Sequence, residues 1–222
     1  VISVSKGLLS HLTKIFPENK IHVIQNGVDV DALSQATPAE DINSHPDSRY
    51  HIGIIGRLEP VKRVDLFLRA AQLLISQHSR INFRFHVIGD GRLKDDLIAL
   101  AKQLGIATQV IFHGHRSDSI NAIAAMDLVV MCSDHEGTPM TALETLALGK
   151  PLIAHNVGGL SEVLHEHPTL LVDEHTPEGY SAKITAALQH PFSTSLHEAY
   201  TSTHNAARTL ALYLSLINKR VE

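Results

Sequence analysis

His51-Ile52-Gly53-Ile54-Ile55-Gly56-Arg57-Leu58-Glu59-Pro60-Val61-Lys62 runs from a β-branched apolar stretch, through a glycine, into a short proline-containing turn. His51–Ile55 reads as a strand and Lys62–Gln77 as the helix that follows. In that helix Val64, Phe67, Leu68, Ala71, Leu74 and Ile75 form one apolar stripe at helical spacing. The same alternation extends both ways. Further strands are expected at Ile21–Ile24, Phe83–Ile88, Gln109–Phe112, Leu128–Met131, Pro151–Ala154 and Thr169–Val172. Further helices are expected at Leu93–Gln103, Ser119–Ala125, Pro139–Leu148, Leu160–Leu164 and Pro177–Gln189. Strands alternating with helices require right-handed crossovers, which gives an α/β fold with a doubly wound parallel sheet. In such sheets ligands bind beyond the carboxyl ends of the strands.

The turn after the His51–Ile55 strand carries chemistry of its own. Gly56 permits close approach of backbone to a ligand, Arg57 offers a bidentate fork, and Lys62 a compact point charge. All three sit at a strand's carboxyl end beside a helix N-terminus, where anions are favoured, and a diphosphate fits that arrangement. Two solvated surface cations after a βα turn would read the same way, and the segment alone does not separate the two.

A second segment is Glu136-Gly137-Thr138-Pro139-Met140-Thr141-Ala142-Leu143-Glu144. Thr138 suits an N-cap and Pro139 the first helical position, while Gly149 and Pro151 close the helix. Glu136 then lies on the loop before the helix, and Glu144 about a turn and a half inside it. On a helical wheel Glu144 falls between Met140 and Leu148, in the arc that also holds Leu143, Leu146 and Ala147. Thr141 and Thr145 take the polar side. An inward carboxylate is costly unless something hydrogen-bonds it, and a bound polyhydroxyl ligand is one candidate.

Composition excludes several classes. The 222 residues are 44% hydrophobic and 19% charged, enough for one substantial core. A net charge of −4 without clustered Lys/Arg gives no footprint for nucleic acid. The single cysteine, Cys132, lies in an apolar run and rules out a disulfide within the chain. No apolar stretch reaches the roughly 20 residues of a membrane span, which leaves membrane-surface association open, and no secretory signal is evident. Opening without methionine on Val1-Ile2-Ser3-Val4-Ser5-Lys6, the chain reads as the tail of a strand entering a helix, with a partner domain expected upstream. Gln35–Arg49 reads as a flexible surface excursion. Pro191–Thr203 reads as a linker into a final helix, Asn205–Lys219, whose Leu210, Leu212, Leu214 and Leu216 are expected to be partly exposed.

More of the chain falls into a recognisable order: Asn26-Gly27-Val28-Asp29, Ile88-Gly89-Asp90-Gly91, Val110-Ile111-Phe112-His113-Gly114, Gly149-Lys150-Pro151-Leu152-Ile153-Ala154 and Val157-Gly158-Gly159-Leu160-Ser161-Glu162. Together with the Gly56-Arg57-Leu58…Lys62 segment and the glutamate pair, it resembles the donor-nucleotide domain of retaining GT-B glycosyltransferases of the family-4 type. The resemblance covers residues 1 to 190. It implies a Rossmann-like domain, the C-terminal half of a GT-B enzyme, with residues 1–5 a remnant of the interdomain crossover and 191–222 a linker and crossing helix.

It also implies roles. Arg57 and Lys62 would hold the donor diphosphate and stabilise its charge, Glu136 would contact the transferred sugar, and these three form the catalytic set. Glu144 would accept hydrogen bonds from the ribose diol. Backbone N–H groups of Gly137, Thr138, Met140 and Thr141 would face the sugar and phosphates. The base would lie near Gly89 and the loop Gly114–Ser117, with Arg116 close by, and Gly56 belongs to the donor-binding set through the diphosphate segment. The implied donor is a UDP- or GDP-sugar, with no further cofactor and no metal, since Arg57 and Lys62 replace the ion. A glycan or lipid-linked acceptor would be bound by an N-terminal domain absent from this chain, which alone would be inactive. The implied setting is polysaccharide biosynthesis in the cytoplasm, with peripheral association at the inner face of the membrane.

Other readings fit less. A glycosidase pair would flank one bond at about 5–10 Å, which leaves the diphosphate segment unexplained. Asp29-Val30-Asp31 spells an acidic triplet, but after Asn26-Gly27 it reads as turn and helix-start chemistry. The pairs His113/His115 and His165/His167 lack a third ligand at zinc spacing. Position 94 is Lys, so Gly89-Asp90-Gly91 fails as a dinucleotide fingerprint. A nucleotide-sugar epimerase would be expected to lack the Gly56-Arg57…Lys62 segment, and a non-catalytic interaction module would need no inward carboxylate.

Overall fold

The structure is a computed structural model that describes residues 1–44, 48–190 and 194–218. Its strands are β1 (Ile2–Ser3), β2 (His22–Val23), β3 (Tyr50–Ile55), β4 (Phe83–Ile88), β5 (Val110–Gly114), β6 (Leu128–Met131), β7 (Leu152–His155) and β8 (Leu171–Val172). Its helices are α1 (Leu9–Leu12), α2 (Val30–Leu33), α3 (Glu40–Asn43), α4 (Val64–Gln77), α5 (Lys94–Gln103), α6 (Ser119–Ala124), α7 (Met140–Ala147), α8 (Gly158–Val163), α9 (Pro177–Gln189) and α10 (Ser202–Asn218). Six strands form one sheet in the order β5-β4-β3-β6-β7-β8, every pair parallel, while β1 and β2 pair separately.

Both faces of the sheet are covered, so its central strands carry nearly continuous apolar runs. Ile52, Phe85, Val129, Val130, Leu152 and Ile153 are all fully buried. The chain builds outward from β3 to β5, then returns to the other side of β3 with β6. That reversal makes the carboxyl ends of β3 and β6 the topological switch point, where two loops diverge and leave a crevice. The segments singled out from the sequence, Gly56–Lys62 and Glu136–Glu144, follow those two strands.

Local departures have local causes. The helix expected from Lys62 begins at Val64. Pro60–Lys62 form a 3-10 turn, and Arg63 (φ +47°) breaks it from the helix in a left-handed conformation held by its own ion pair to Asp65. Thr138 does not cap α7. Pro139 takes the cap position at φ −74°, ψ 130°, and the buried Thr138 hydroxyl donates to the Val4 carbonyl. Thr145, expected on the polar side, is fully buried because its hydroxyl is satisfied by the Thr141 carbonyl at 2.6 Å, whereas Met140 is 43% exposed. Asp29 caps α2 through the Ala32 amide at 3.0 Å, the helix-start chemistry expected of it.

The stretch expected to be a flexible excursion is partly ordered. It contains α3, whose Ile42 is fully buried, although residues 45–47 lie outside the described part. In the expected linker, residues 191–193 lie outside the description, but Thr194 and Tyr200 are buried and Thr201 bridges to Val28. The start of α10 is tied to the chain after β2. Asn205 donates to the Gln25 carbonyl at 2.6 Å, and Arg208 donates to the Val23 carbonyl. Beyond that anchor Leu210, Tyr213, Leu214, Leu216 and Ile217 are exposed, and the expected last residue, Lys219, lies outside the description. Among the described residues no helix is long and apolar enough to cross a membrane.

Candidate functional site

At the switch point the loop after β6 meets the turn after β3. Lys62 Nζ lies 2.5 Å from Glu136 Oε1, and the same oxygen accepts from Ser133 Oγ at 2.7 Å. Only 10% of the Glu136 side chain is exposed. The two residues assigned separate tasks from sequence are therefore one ion pair, with a hydroxyl donating to the same carboxylate oxygen. The Glu136 carbonyl is in turn held by the Gly159 amide at 3.1 Å. That contact needs glycine, because a Cβ on Gly159 would stand 1.5 Å from the Gly137 carbonyl oxygen. A cleft of about 410 Å³ opens on this side, lined by Glu136, Gly137, His135, His11 and Gly158.

The backbone that leads into α7 presents open donors. Among the described residues, none accepts a hydrogen bond from the amides of Gly137, Thr138, Met140 or Thr141, which fan around the helix N-terminus. The loop is pinned in place by other groups: Asn26 Nδ2 donates to the Thr138 carbonyl at 2.8 Å. Glu144, half-buried in α7, has no hydrogen-bond or ion-pair partner among the described residues. Burial alone raises its carboxyl above the ordinary range.

On the other side of β3 the site widens toward β4 and β5. Arg57 is exposed and its guanidinium has no partner among the described residues. It lines a cleft of about 340 Å³ with Gly56, Gly89, Asp90, His115, Arg116 and Ser119. The two strand ends touch here: at Gly89 (φ +137°) a Cβ would lie 1.8 Å from the Gly56 carbonyl oxygen. A tighter cleft joins Gly56, Arg57, Lys62 and Ser133, so Arg57 stands between the two larger openings.

Arg116 lines the predicted place but is occupied. Its guanidinium forks onto Asp41 at 2.5 and 3.2 Å and onto Asp118 at 2.9 and 2.7 Å. These pairs hold the arginine's pKa up and both aspartates' pKa values down. Behind it runs a file of imidazoles across β5, β4 and β3. His113 meets His86 at 2.9 Å, and His86 meets His51 at 3.0 Å. Burial, then the nearby Arg116 charge, lowers the His113 pKa.

A second polar cluster backs the loop after β6. His155 Nδ1 lies 2.9 Å from the Ser133 carbonyl. His175 lies 3.0 Å from Asp134 Oδ1 and 2.9 Å from the Tyr180 hydroxyl. The two rings stack at 3.7 Å between centroids. Asp134 also takes Arg63 at 3.3 Å. Among the described residues no group of three or more His, Cys, Asp or Glu side chains is arranged to hold a metal ion.

Sequence reasoning expected Gly56, Arg57, Lys62, Glu136, Gly137, Thr138, Met140, Thr141 and Glu144 at one donor site; Gly56, Arg57 and Lys62 line one cleft, Glu136 and Gly137 line another joined to it by the Lys62–Glu136 pair, and the other four line neither. It missed Ser133, Asn26 as a loop anchor, and the His155/His175 pair. Ser133 was findable, since a polar run directly after an apolar strand marks residues delivered to the switch point. The histidines carried no signal, because their partners are distant in sequence.

Comparison with known proteins bears on the family and the fold. The family described as "Glycosyl transferases group 1" matches residues 37–209. A D-inositol 3-phosphate glycosyltransferase of Rhodococcus jostii is 32% identical over 184 residues, which are 78% of this chain and 40% of that protein. A glycosyltransferase from Rickettsia africae superposes with a TM-score of 0.80 at 22% identity, over 98% of this chain and 63% of that one. Anabaena Alr3699/HepE, solved in complex with UDP, gives 0.76 at 23% identity over 97% of this chain and 63% of that one. The chain thus spans less than half the length of its curated relative, and its α/β Rossmann-like fold is that of GT-B glycosyltransferase structures. With the family's pattern matched over most of its length, the chain belongs to the glycosyl transferases group 1 family.

Proposed function

We propose that this chain supplies the nucleotide-sugar donor site of a retaining glycosyltransferase, which in the whole enzyme transfers the sugar to an acceptor hydroxyl. The observation that carries the reading is a set of unspent polar groups on the two segments that follow β3 and β6 at the switch point. The guanidinium of Arg57, the open amides of Gly137, Thr138, Met140 and Thr141, and the unpartnered carboxylate of Glu144 have no partners among the described residues. A nucleoside diphosphate sugar complements them: anionic phosphates for the cation and amides, and a ribose diol for the carboxylate.

As the bond between sugar and diphosphate breaks, its electron pair stays on the diphosphate. Arg57, Lys62 and the amides would stabilise that growing charge more in the transition state than in the ground state. Glu136, held by Lys62 and Ser133, would face the sugar rather than act as a free base. The base would occupy the cleft between Gly89 and Arg116, whose guanidinium, already paired twice, would shape the wall instead of binding phosphate. The UDP in the HepE complex supports a uridine donor. The donor needs no metal in this reading, the acceptor would be bound by the rest of the enzyme, and the setting would be cytoplasmic, at the inner membrane face. Neither an epimerase nor a non-catalytic module is favoured by the matched family.

Calorimetry of UDP and GDP binding to the full-length protein tests the reading. UDP should bind, and Arg57→Ala should weaken it about 10- to 100-fold, the worth of a charge-assisted hydrogen-bond pair. Absence of heat with both nucleotides would sink the proposal. Retention is checked separately from the anomeric configuration of the product by NMR.

A further inference from the structure

The stacked imidazoles of His155 and His175 take no part in the donor-site chemistry above, yet they grip two consecutive residues of the loop that carries Glu136. A carbonyl oxygen only accepts, so His155 must donate Nδ1–H to Ser133. A carboxylate with Arg63 beside it accepts too, so His175 donates Nε2–H to Asp134 and receives the Tyr180 hydroxyl on Nδ1. From the opposite side the Asp134 amide donates to the Val61 carbonyl at 2.9 Å. Ser133 and Asp134 are thus held on both sides, by the end of β7 and the loop after β8 on one and by the turn after β3 on the other.

Ser133 links this grip to the site. It is buried, its carbonyl takes the His155 proton, and its hydroxyl donates to the Glu136 oxygen that also receives Lys62. Without the His155 donor, a buried carbonyl would be left unpaired. Since the Asp134 amide of the same peptide is tied to Val61, that carbonyl finds another partner only if residue 133 itself shifts, and such a shift carries the Ser133 hydroxyl with it and releases one of the contacts that aim Glu136. The ring of His175 limits the alternative of moving His155 itself, since the two planes lie 15° from parallel at contact distance.

We propose that His155 is a positioning residue for the sugar-binding end of the donor site: its Nδ1–H fixes the Ser133 carbonyl, and through the Ser133 hydroxyl it sets the Glu136 carboxylate. The proposal rests on the reading of Glu136 as the sugar contact. It assigns His155 no contact with the nucleotide, so its influence belongs to the sugar half of the donor alone.

The test uses the full-length protein with UDP and UDP-glucose as probes, and two variants. His155→Phe keeps a ring against His175 and removes the donor, while His155→Asn returns a donor at the position of Nδ1. In wild type, long-range 1H–15N spectra should show His155 as the Nδ1–H tautomer. His155→Phe should weaken UDP-glucose about 10-fold, the cost of one mispositioned buried polar contact, with UDP affinity unchanged, and His155→Asn should recover most of the loss. An Nε2–H tautomer overturns the proposal, as do equal losses for both probes or a lowered melting temperature that His155→Asn does not restore. Should wild type bind neither probe, the donor-site reading falls by itself. The inference is then decided by the 13C carboxyl shift of Glu136, which should move in His155→Phe and return in His155→Asn; an unmoved shift overturns it.

Discussion

Glu144 and Glu136 are two carboxylates on one loop-and-helix segment, and the fold treats them oppositely. Glu136 has its charge answered by Lys62 and a serine hydroxyl, whereas Glu144 is half-buried with no answering group and a raised pKa. For an acid whose pKa is raised on folding, the folded state binds its proton more tightly than the unfolded chain. Its contribution to stability is therefore fully present below the unfolded value, about 4.3 for glutamate, and is lost as pH rises from there through the raised folded value. At neutral pH the ionised group destabilises the protein, which is the behaviour of a side chain kept for a ligand. Glu144→Gln should accordingly raise the urea midpoint at pH 7 while weakening UDP about 10-fold or more through loss of charge-assisted hydrogen bonds. Equilibrium unfolding and calorimetry on the same preparation check both halves. The sequence showed that Glu144 faced inward, because wheel position is local. It did not show that Thr138 would abandon its cap or that Thr145 would be buried, since both outcomes hang on a hydroxyl partner, Val4 in one case and the Thr141 carbonyl in the other.

Among the elements, α8 and α3 act as props for the two ends of the site. The first turn of α8 packs on the Glu136 loop so closely that Gly159→Ala would drive a methyl into the Gly137 carbonyl. The substitution should cost on the order of 3 kcal/mol and disturb the amide fan before α7; a thermal shift together with loss of UDP binding would register it, and a neutral result would contradict the packing. At the opposite end, α3 is tied down by Arg116 through Asp41, 75 positions away in sequence, and by the Ala39 amide on the Asn121 carbonyl. Because both aspartates are largely exposed, the clamp adds little to global stability, on the order of 1 kcal/mol. Arg116→Ala should instead speed amide exchange in residues 40–43 selectively, leaving β3 and β4 protected. These ties explain why the strands and long helices were legible and the Gln35–Arg49 segment was not. A strand or a striped helix carries its pattern within a few residues, but α3 is only Glu40–Asn43 and owes its order to Asn121 and Arg116, invisible to any local window.

Over the whole molecule, two of the described histidines, His113 and His175, lie in different surroundings that act on them alike. His113 faces His86, Asp41, Arg116 and Asp118, and burial with the arginine's charge lowers its pKa despite the acids. His175 faces His155, Asp134, Tyr180 and Arg63, and burial followed by the His155 ring lowers it in the same way. The alternating pattern that fixed the sheet could not foretell either shift, because each depends on neighbours delivered by separate crossovers. For a base with a lowered folded pKa, the unfolded chain binds more protons than the native one, so stability rises with pH across the interval. That stability is complete above the unfolded histidine value of about 6.5 and drains away as pH falls below it. Asp41 and Asp118, lowered by Arg116, add a second loss only further down, as pH falls through the carboxylate range. Urea unfolding between pH 7.5 and 5.5 should therefore show a falling midpoint, made shallower by the opposing gain at Glu144. In the double variant His113→Asn, His175→Asn that slope should flatten, even if the variant is less stable at pH 7.5. A double variant that keeps the wild-type slope would locate the acid sensitivity in other groups and remove these two histidines as its source.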